Sequence, residues 1–295
     1  MKRSTTKFAL FGNVFQPEKS SALSLVIQTL KSKSAFIAME ESFYQFIKQN
    51  ISLPFKPDEI IHNREFTANF AVSLGGDGTF LKTAEFVGDK KIPIIGINTG
   101  RLGFLSDITP DETEAVLSGI SHGKYTIEKR SVLHVISDKD ILDIYPYALN
   151  EVALLKHDNS SMIGIETHVD NHYLNTYQSD GIIVCTPTGS TGYSLSNGGP
   201  IIAPSSNSIA ITAVAPHSLN IRPVLLNDDC TINFRIHSRN HNFLLSIDGR
   251  SLSLPDDTPI TIRKASYFIY IVRKYGSDYY DTLRNKLMWG IDKRL

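Results

Sequence analysis

The sequence predicts an α/β domain built on a parallel sheet over residues 1–122, an all-β sandwich domain over residues 123–275, and a C-terminal helix within 276–295 that packs back on the first domain. Three observations predict it. Strand and helix signals alternate through the first domain, which implies a parallel sheet of Rossmann-like type with helices on its faces. Short strands then follow one another without helices, as in a two-layer sandwich. Helical spacing returns near the end, at Leu283, Leu287 and Met288.

The elements follow in order. Residues 7–11 form a short apolar run. The preceding Met1, Lys2 and Arg3 mimic a weak secretory signal, but Gly12 and Asn13 break the run and no small-residue cleavage site follows, so it reads as a first strand. Leu23, Val26, Ile27 and Leu30 lie at helical spacing within residues 20–32. Residues 35–39 are apolar and 40–49 helical. Residues 70–74 form a strand that runs into glycines, and 79–87 a helix. Residues 92–97 form a β-branched run, as expected of a strand covered on both faces. Residues 111–117, after Pro110, form another helix.

In the second domain, strands are expected at 131–136, 147–155, 163–169, 172–178, 181–185, 208–214, 231–236, 243–247 and 260–272. Asp170-Asn171 forms a hairpin turn between two of them. No internal repeat or low-complexity segment is present.

Lys plus Arg and Asp plus Glu number 30 each among 295 residues, so the formal net charge is zero. This argues against a nucleic-acid binder, which carries a basic excess. No apolar run reaches the roughly 20 residues of a membrane span. Cys185 and Cys230 form neither a disulfide framework nor a metal-ligand spacing and read as reduced thiols, consistent with a cytoplasmic protein. The nine histidines make no metal set, and the familiar phosphate-loop, dinucleotide, zinc-protease and nucleophile-elbow motifs are absent.

Three loops carry the chemistry. Gly75-Gly76-Asp77-Gly78-Thr79 joins a strand end to a helix start. Glycines there let a backbone approach a ligand, and the helix N-terminus offers N–H groups and a positive dipole end. Asp77 suits a metal ligand or a base facing a hydroxyl; equally, it suits a helix cap. Asn98-Thr99-Gly100-Arg101-Leu102-Gly103-Phe104 leaves the sheet after the next strand, so both loops are expected to line one crevice. In the third loop, Thr186, Thr188, Ser190 and Thr191 crowd a turn after a strand, where hydroxyls can hold ribose, amide or phosphate oxygens or simply build the turn.

These segments, with Asn150-Glu151, Thr186-Pro187-Thr188-Gly189-Ser190-Thr191-Gly192-Tyr193 and Asp248-Gly249, stand in the order seen in NAD kinases, and the chain resembles that family over nearly its whole length. The glycine-Asp loop alone also resembles loops of diacylglycerol kinases, sphingosine kinases and phosphofructokinases; the hydroxyl-rich turn with the Asn-Glu pair is the specific part. The resemblance implies phosphoryl transfer from ATP, or polyphosphate in some members, to the 2′-hydroxyl of the adenosine ribose of NAD. It implies a divalent cation, Mg²⁺ or Mn²⁺, and a homodimer or homotetramer.

By resemblance Asp77 is the base, Asn150 and Glu151 hold the adenosine part, and Asp180, Thr188, Gly189, Ser190, Thr191, Gly192 and Tyr193 hold the rest of NAD. Apart from the resemblance, the N–H groups of Gly76, Gly78 and Thr79 are expected to hold the oxygens where charge spreads. Lys82, one helical turn after Asp77, faces the donor phosphates or, equally, is a solvated helix lysine; Asn98 lies in the second loop. Gly192 stands where many members carry Ala, a small-for-small change expected to affect the pocket little. Arg250 stands where many carry Gln and is a candidate for meeting a phosphate. The rival readings are a lipid kinase of the diacylglycerol or sphingosine type and a non-catalytic NAD sensor.

Overall fold

The computed structural model describes residues 5–12, 20–51, 55–100, 103–120, 122–137, 141–157 and 161–289. Contacts divide the chain into two compact units, Met1–Lys129 with Ile269–Leu295, and Arg130–Phe268.

The first unit is built on a seven-stranded sheet in the order Glu59–Ile61, Phe36–Glu40, Lys7–Gly12, Phe70–Leu74, Ile94–Ile97, Ile269–Lys274, Tyr125–Arg130. The pairings from the first of these through Ile269–Lys274 are parallel. The chain leaves Lys7–Gly12 toward one edge and then crosses to Phe70–Leu74 on its other side. The order therefore reverses between these two strands, and open α/β sheets bind ligands at the carboxyl ends of strands at such a point. The Gly75–Thr79 loop emerges there.

Every residue of Phe70–Leu74 and Ile94–Ile97 is buried, as strands covered on both faces require. Leu23, Val26, Ile27 and Leu30 of the helix Ser20–Ser32 and Val116, Leu117 and Ile120 of Thr113–Ile120 form one core cluster with Leu10, Val72, Leu74, Ile95 and Ile97. The helix Asp77–Val87 packs on Phe70–Leu74, Lys7–Gly12 and Ile94–Ile97. It begins two residues earlier than helical spacing alone indicates, which puts Asp77 in its first turn. The C-terminal helix Tyr279–Leu287 belongs to this unit and buries Leu283.

The second unit holds two six-stranded sheets. One is ordered His172–Ser179, Ile163–Val169, Thr231–His237, Ile260–Lys264, Leu133–Ile136, Tyr147–Ala148. The other is ordered Val224–Asn227, Ser208–Val214, Gly181–Cys185, Glu151–Lys156, Asn242–Ile247, Arg250–Pro255. Apolar residues from both, among them Ile165, Phe234 and Ile262 of one and Val152, Ile182 and Phe243 of the other, share one core. Two hairpins are built on two-residue turns. Val169 pairs with His172 across Asp170-Asn171, and Ile247 pairs with Arg250 across Asp248-Gly249. All four turn residues have positive φ (47° and 67°, then 47° and 81°), which matches the twist of the flanking strands.

The structure corrects several expected elements. The run 260–272 is two strands, Ile260–Lys264 in the sandwich and Ile269–Lys274 in the parallel sheet. Alternation continues through the break without Gly or Pro, so nothing local marks it. The run 147–155 is likewise split, into Tyr147–Ala148 and Glu151–Lys156 in different sheets. The helix expected at 111–117 is a short 3₁₀ turn, Pro110–Glu112, followed by Thr113–Ile120. Glu59–Ile61, Tyr125–Arg130, Val224–Asn227 and Arg250–Pro255 are strands the periodicity misses.

Gly96 marks where the sheet touches the second loop. A Cβ on it would sit 2.7 Å from the Leu105 carbonyl oxygen, 2.9 Å from Ser106 Cα and 3.0 Å from Phe80 Cδ2. Two of these neighbours are backbone and cannot swing away. Gly96→Ala is expected to destabilise the protein by about 1–3 kcal/mol, read as a lower urea midpoint; an unchanged midpoint would show that the loop does not press on the strand.

Candidate active site

The strand Phe70–Leu74 ends on Gly75, which has φ 155° and whose added Cβ would meet Thr79 Oγ1 at 2.3 Å. Backbone and packing thus both call for glycine there. Gly76 and Gly78 differ: a Cβ on either meets nothing within 4 Å. Internal packing does not explain them, and they leave bare backbone facing open space at the start of a helix that no side chain caps. The Thr79 N–H is committed, donating to the Gly76 carbonyl at 3.0 Å. The N–H groups of Gly76 and Gly78 donate to no acceptor among the described residues.

Asp77 does not cap its helix. Its carboxylate reaches the second loop: Oδ2 accepts from Phe104 N–H at 2.9 Å, and Oδ1 accepts from Leu105 N–H at 3.0 Å and Ser106 N–H at 3.1 Å. Gly103 has to be glycine for this, since its Cβ would lie 2.1 Å from Asp77 Oδ1. The two loops thus meet, and the carboxylate is their joint. A carboxylate has about four lone-pair directions, so one on Oδ2 stays available. Arg101 and Leu102 lie outside the described residues. Asn98 is buried, its N–H donates to Ile108 O at 2.9 Å, and its Nδ2 has no hydrogen-bond partner among the described residues.

Lys82 is exposed and leans on the carboxyl end of the strand Phe36–Glu40. Its Nζ lies 3.8 Å from Glu40 Oε1 and 3.4 Å from Ser42 Oγ. Both contacts are long, and a phosphate would compete with them.

In the second unit, Asp248 repeats the arrangement of Asp77. Its Oδ2 accepts from Leu149 N–H at 2.7 Å, and its Oδ1 from the N–H groups of Asn150 and Glu151 at 2.9 and 3.1 Å. This breaks the strand reading at 149–150 and presents Asn150 and Glu151 together. Burial raises the Asp248 carboxyl above its ordinary range, while the three amides and Arg250 pull it down. Glu151 is pushed up to about 7, first by burial and then by the charge of Asp248, with the Tyr193 N–H pulling the other way. Glu151 Oε2 and Asn150 Oδ1 are buried and have no hydrogen-bond partner among the described residues. Both are oxygens left without a partner in a buried setting, where polar atoms are ordinarily hydrogen-bonded.

The Thr186–Tyr193 segment is a 3₁₀ turn, Thr188–Thr191, followed by the short helix Tyr193–Ser196. Most of its hydroxyls are spent on itself. Thr186 Oγ1 donates to Leu149 O at 2.6 Å and accepts from Gly189 N–H. Ser190 Oγ donates to Pro187 O at 2.7 Å and accepts from Ile202 N–H at 3.0 Å. Buried Thr188 accepts from Arg130 at 3.2 Å, and Thr191 Oγ1 donates to Thr188 O at 3.3 Å. Gly189 is required by close approach, because its Cβ would fall 2.1 Å from Asn150 O. The hydroxyls of Thr186 and Ser190 thus brace the turn, and that of Thr188 ties it to Arg130. Thr191 and Gly192 are half-buried and Tyr193 is exposed.

A Cβ on Gly192 would stand 2.9 Å from Glu151 Oε2, 3.2 Å from the Gly189 carbonyl oxygen and 3.5 Å from Asn150 Nδ2, so an Ala there would need a small shift, most easily at the tip of the Glu151 side chain. Asp180 pairs with Lys156 at 2.8 Å and lines a cavity of about 560 Å³ with Gly164, Gln178, His237 and Arg239. Arg250 donates to Tyr147 O at 2.8 Å and covers the Tyr145 ring at 5.5 Å. Those contacts give it a structural part beside Asp248, which a glutamine would not reproduce. Asp248 and Gly103 fall within segments the sequence singled out, but their contacts with the Asn150-Glu151 backbone and with Asp77 did not follow from it; Gly96 was not singled out. Asp-Gly between two strand runs was a hairpin signal that locates Asp248.

Comparison with known proteins covers both units. The ATP-NAD kinase N-terminal domain model matches residues 8–125 and the ATP-NAD kinase C-terminal domain model residues 149–274. An NAD kinase of Bacteroides fragilis is 50% identical over 289 residues, which is 98% of this chain and 100% of that protein. One of Cytophaga hutchinsonii is 40% identical over 289 residues, covering 97% and 99%. Among solved structures, yeast NADH kinase complexed with NADH superposes with a TM-score of 0.87 at 23% identity, covering 100% of this chain and 91% of that one. An NAD kinase from Archaeoglobus fulgidus in complex with ATP gives 0.75 at 24% identity, covering 96% and 98%; these two likenesses speak for the fold. With each half matched by its own domain model and relatives aligned along the full length, the chain belongs to the NAD kinase family.

Proposed function

We propose that the chain transfers the γ-phosphate of ATP to the 2′-hydroxyl of the adenosine ribose of NAD, giving NADP and ADP. The observation that carries this reading is Asp77: a fixed carboxylate with one open lone-pair direction, between two glycines whose backbones face free space at the switch point of the sheet. Membership of the NAD kinase family, and neighbours described with NADH and with ATP, support NAD and ATP as the pair.

Phosphoryl transfer passes through a loose transition state, so positioning and charge neutralisation dominate. Asp77 Oδ2 orients the 2′-hydroxyl and takes its proton late, as the ribose oxygen bonds to the γ-phosphorus and the bond to the β-phosphate oxygen breaks. ADP leaves with that electron pair. Strong basicity is not needed. The Gly76 and Gly78 N–H groups, at the positive end of the helix, hold the oxygens on which charge spreads. Lys82 exchanges its long contacts with Glu40 and Ser42 for the donor phosphates.

Among the described residues no group of three or more His, Cys, Asp or Glu is placed to hold a metal ion. These side chains do not form a cage for a divalent cation, and in this reading Mg²⁺ or Mn²⁺ enters on ATP as part of the substrate. In the second unit Asn150 and Glu151 recognise the adenosine part, and Asp180, Thr191, Gly192 and Tyr193 the rest of NAD. Thr188, Gly189 and Ser190 act by shaping the turn. The family reading extends to a homodimer or homotetramer and to the cytoplasm; no described helix is long and apolar enough to cross a membrane.

Incubation with NAD, ATP and Mg²⁺, followed by detection with an NADP-specific dehydrogenase, is expected to show NADP. Phosphorylation of a lipid instead, or NAD binding with no NADP formed, would favour a lipid kinase or a sensor. Asp77→Asn is expected to lower kcat by about 10²–10⁴-fold with a lesser effect on NAD binding; near-normal turnover would remove the base assignment.

Glu151 gives a pH signature. Its pKa in the folded chain, about 7, lies above the ordinary 4.5. The stability linked to the neutral carboxyl is complete below pH 4.5 and is lost as pH rises to about 7. Glu151→Gln keeps the neutral form at every pH. The Tm advantage of this variant over the parent should grow between these two pH values and level off above them. A difference that stays flat across the window would refute the perturbed carboxyl.

A further inference from the structure

Arg273 is a buried cation that the proposed chemistry does not use. It stands near the end of the strand Ile269–Lys274 at 6% exposure. Its three nitrogens go three ways. Nη1 pairs with Asp107 Oδ2 at 2.8 Å, Nε donates to Glu128 Oε2 at 3.1 Å, and Nη2 donates to the Phe104 carbonyl at 3.3 Å. Only the planar guanidinium fork reaches three such acceptors at once.

The third contact reaches Asp77 through a single peptide group. The amide between Phe104 and Leu105 accepts from Arg273 at its carbonyl and donates to Asp77 Oδ1 through the Leu105 N–H at 3.0 Å. A cation at the oxygen and a carboxylate at the nitrogen align with the amide dipole, and each polarises the group in the sense that strengthens the other bond. The preceding amide donates to Oδ2 through Phe104 N–H, so whatever fixes the Phe104–Leu105 peptide fixes both carboxylate oxygens. Asp107 and Glu128 hold the guanidinium in place, and burial raises the Asp107 carboxyl while Arg273 pulls it down.

We infer that Arg273 is a positioning residue for phosphoryl transfer: through the Phe104–Leu105 peptide it aims the open lone pair of Asp77 Oδ2 at the acceptor hydroxyl. This rests on the reading of Asp77 as the base. A purely structural ion pair would affect stability and leave turnover alone.

The test is a double-mutant cycle in the full chain with Arg273→Lys, Asp77→Asn and the pair, reading kcat, KM for NAD and ATP, and Tm. Lysine keeps a positive charge for Asp107 and Glu128, which guards against an unpaired buried carboxylate, but cannot also hold the Phe104 carbonyl. Arg273→Lys is expected to lower kcat by about 10–100-fold, the scale of a misplaced reacting group, with both KM values and Tm little changed. Combined with Asp77→Asn it should add no further loss. Parental kcat in Arg273→Lys, or a loss that multiplies with that of Asp77→Asn, overturns the inference while leaving the base assignment intact. Normal turnover in Asp77→Asn alone removes the base assignment, and the inference with it.

Discussion

Three consecutive backbone N–H groups converging on one carboxylate organise the first unit. Charge-assisted hydrogen bonds of this kind contribute about 1.5–3 kcal/mol each, and Asp77 receives three. They hold the Gly103–Ser106 segment against the Gly75–Thr79 loop, and the sequence around them yields to the same joint. Gly103 leaves room for the carboxylate, and Gly96 lets the segment lie on the strand. Arg273 takes the carbonyl on the far side of the bridging peptide. An aspartate in the first turn of a helix would repel an anion at that helix N-terminus unless its charge has partners. Here the partners are amides of the neighbouring loop, so the helix N-terminus stays open to an anion.

The second unit uses the same device independently. Asp248 sits in a type I′ hairpin turn with φ 47°, and its carboxylate takes the amides of Leu149, Asn150 and Glu151. That contact ends one strand, starts another in the opposite sheet, and leaves Glu151 beside a buried negative charge. The Glu151 carboxyl is raised first by its burial and then by that neighbouring charge. Gly189 and Gly192 close on the same pair from the turn above it, one against the Asn150 backbone and the other against the Glu151 carboxylate.

Much of this was legible in the sequence. Alternating patterns announced the parallel sheet, and its exit loops were visible as glycines after apolar runs. Asp170-Asn171 was readable as a turn because it separates two alternating strands. Long-range contacts were not legible. The breaks inside 147–155 and 260–272 carry no Gly or Pro, because an aspartate about a hundred residues away makes the first and recruitment of Ile269–Lys274 into the other unit makes the second. Composition could not show that the hydroxyls of Thr186 and Ser190 are committed to backbone partners, because those bonds depend on how the turn folds. Asp77 was ambiguous between cap and base for a related reason: its partners lie in a segment that begins 26 residues later, at Gly103.

The central claim is that the Asp77 carboxylate holds the second loop, and amide hydrogen exchange of Phe104, Leu105 and Ser106 tests it most directly. With the parent chain as reference, the account predicts that these three amides lose protection in Asp77→Ala while Val72 and Ile95, in the sheet behind them, keep theirs. Unchanged protection at the three amides would contradict it, because the loop would then be held by something other than this carboxylate.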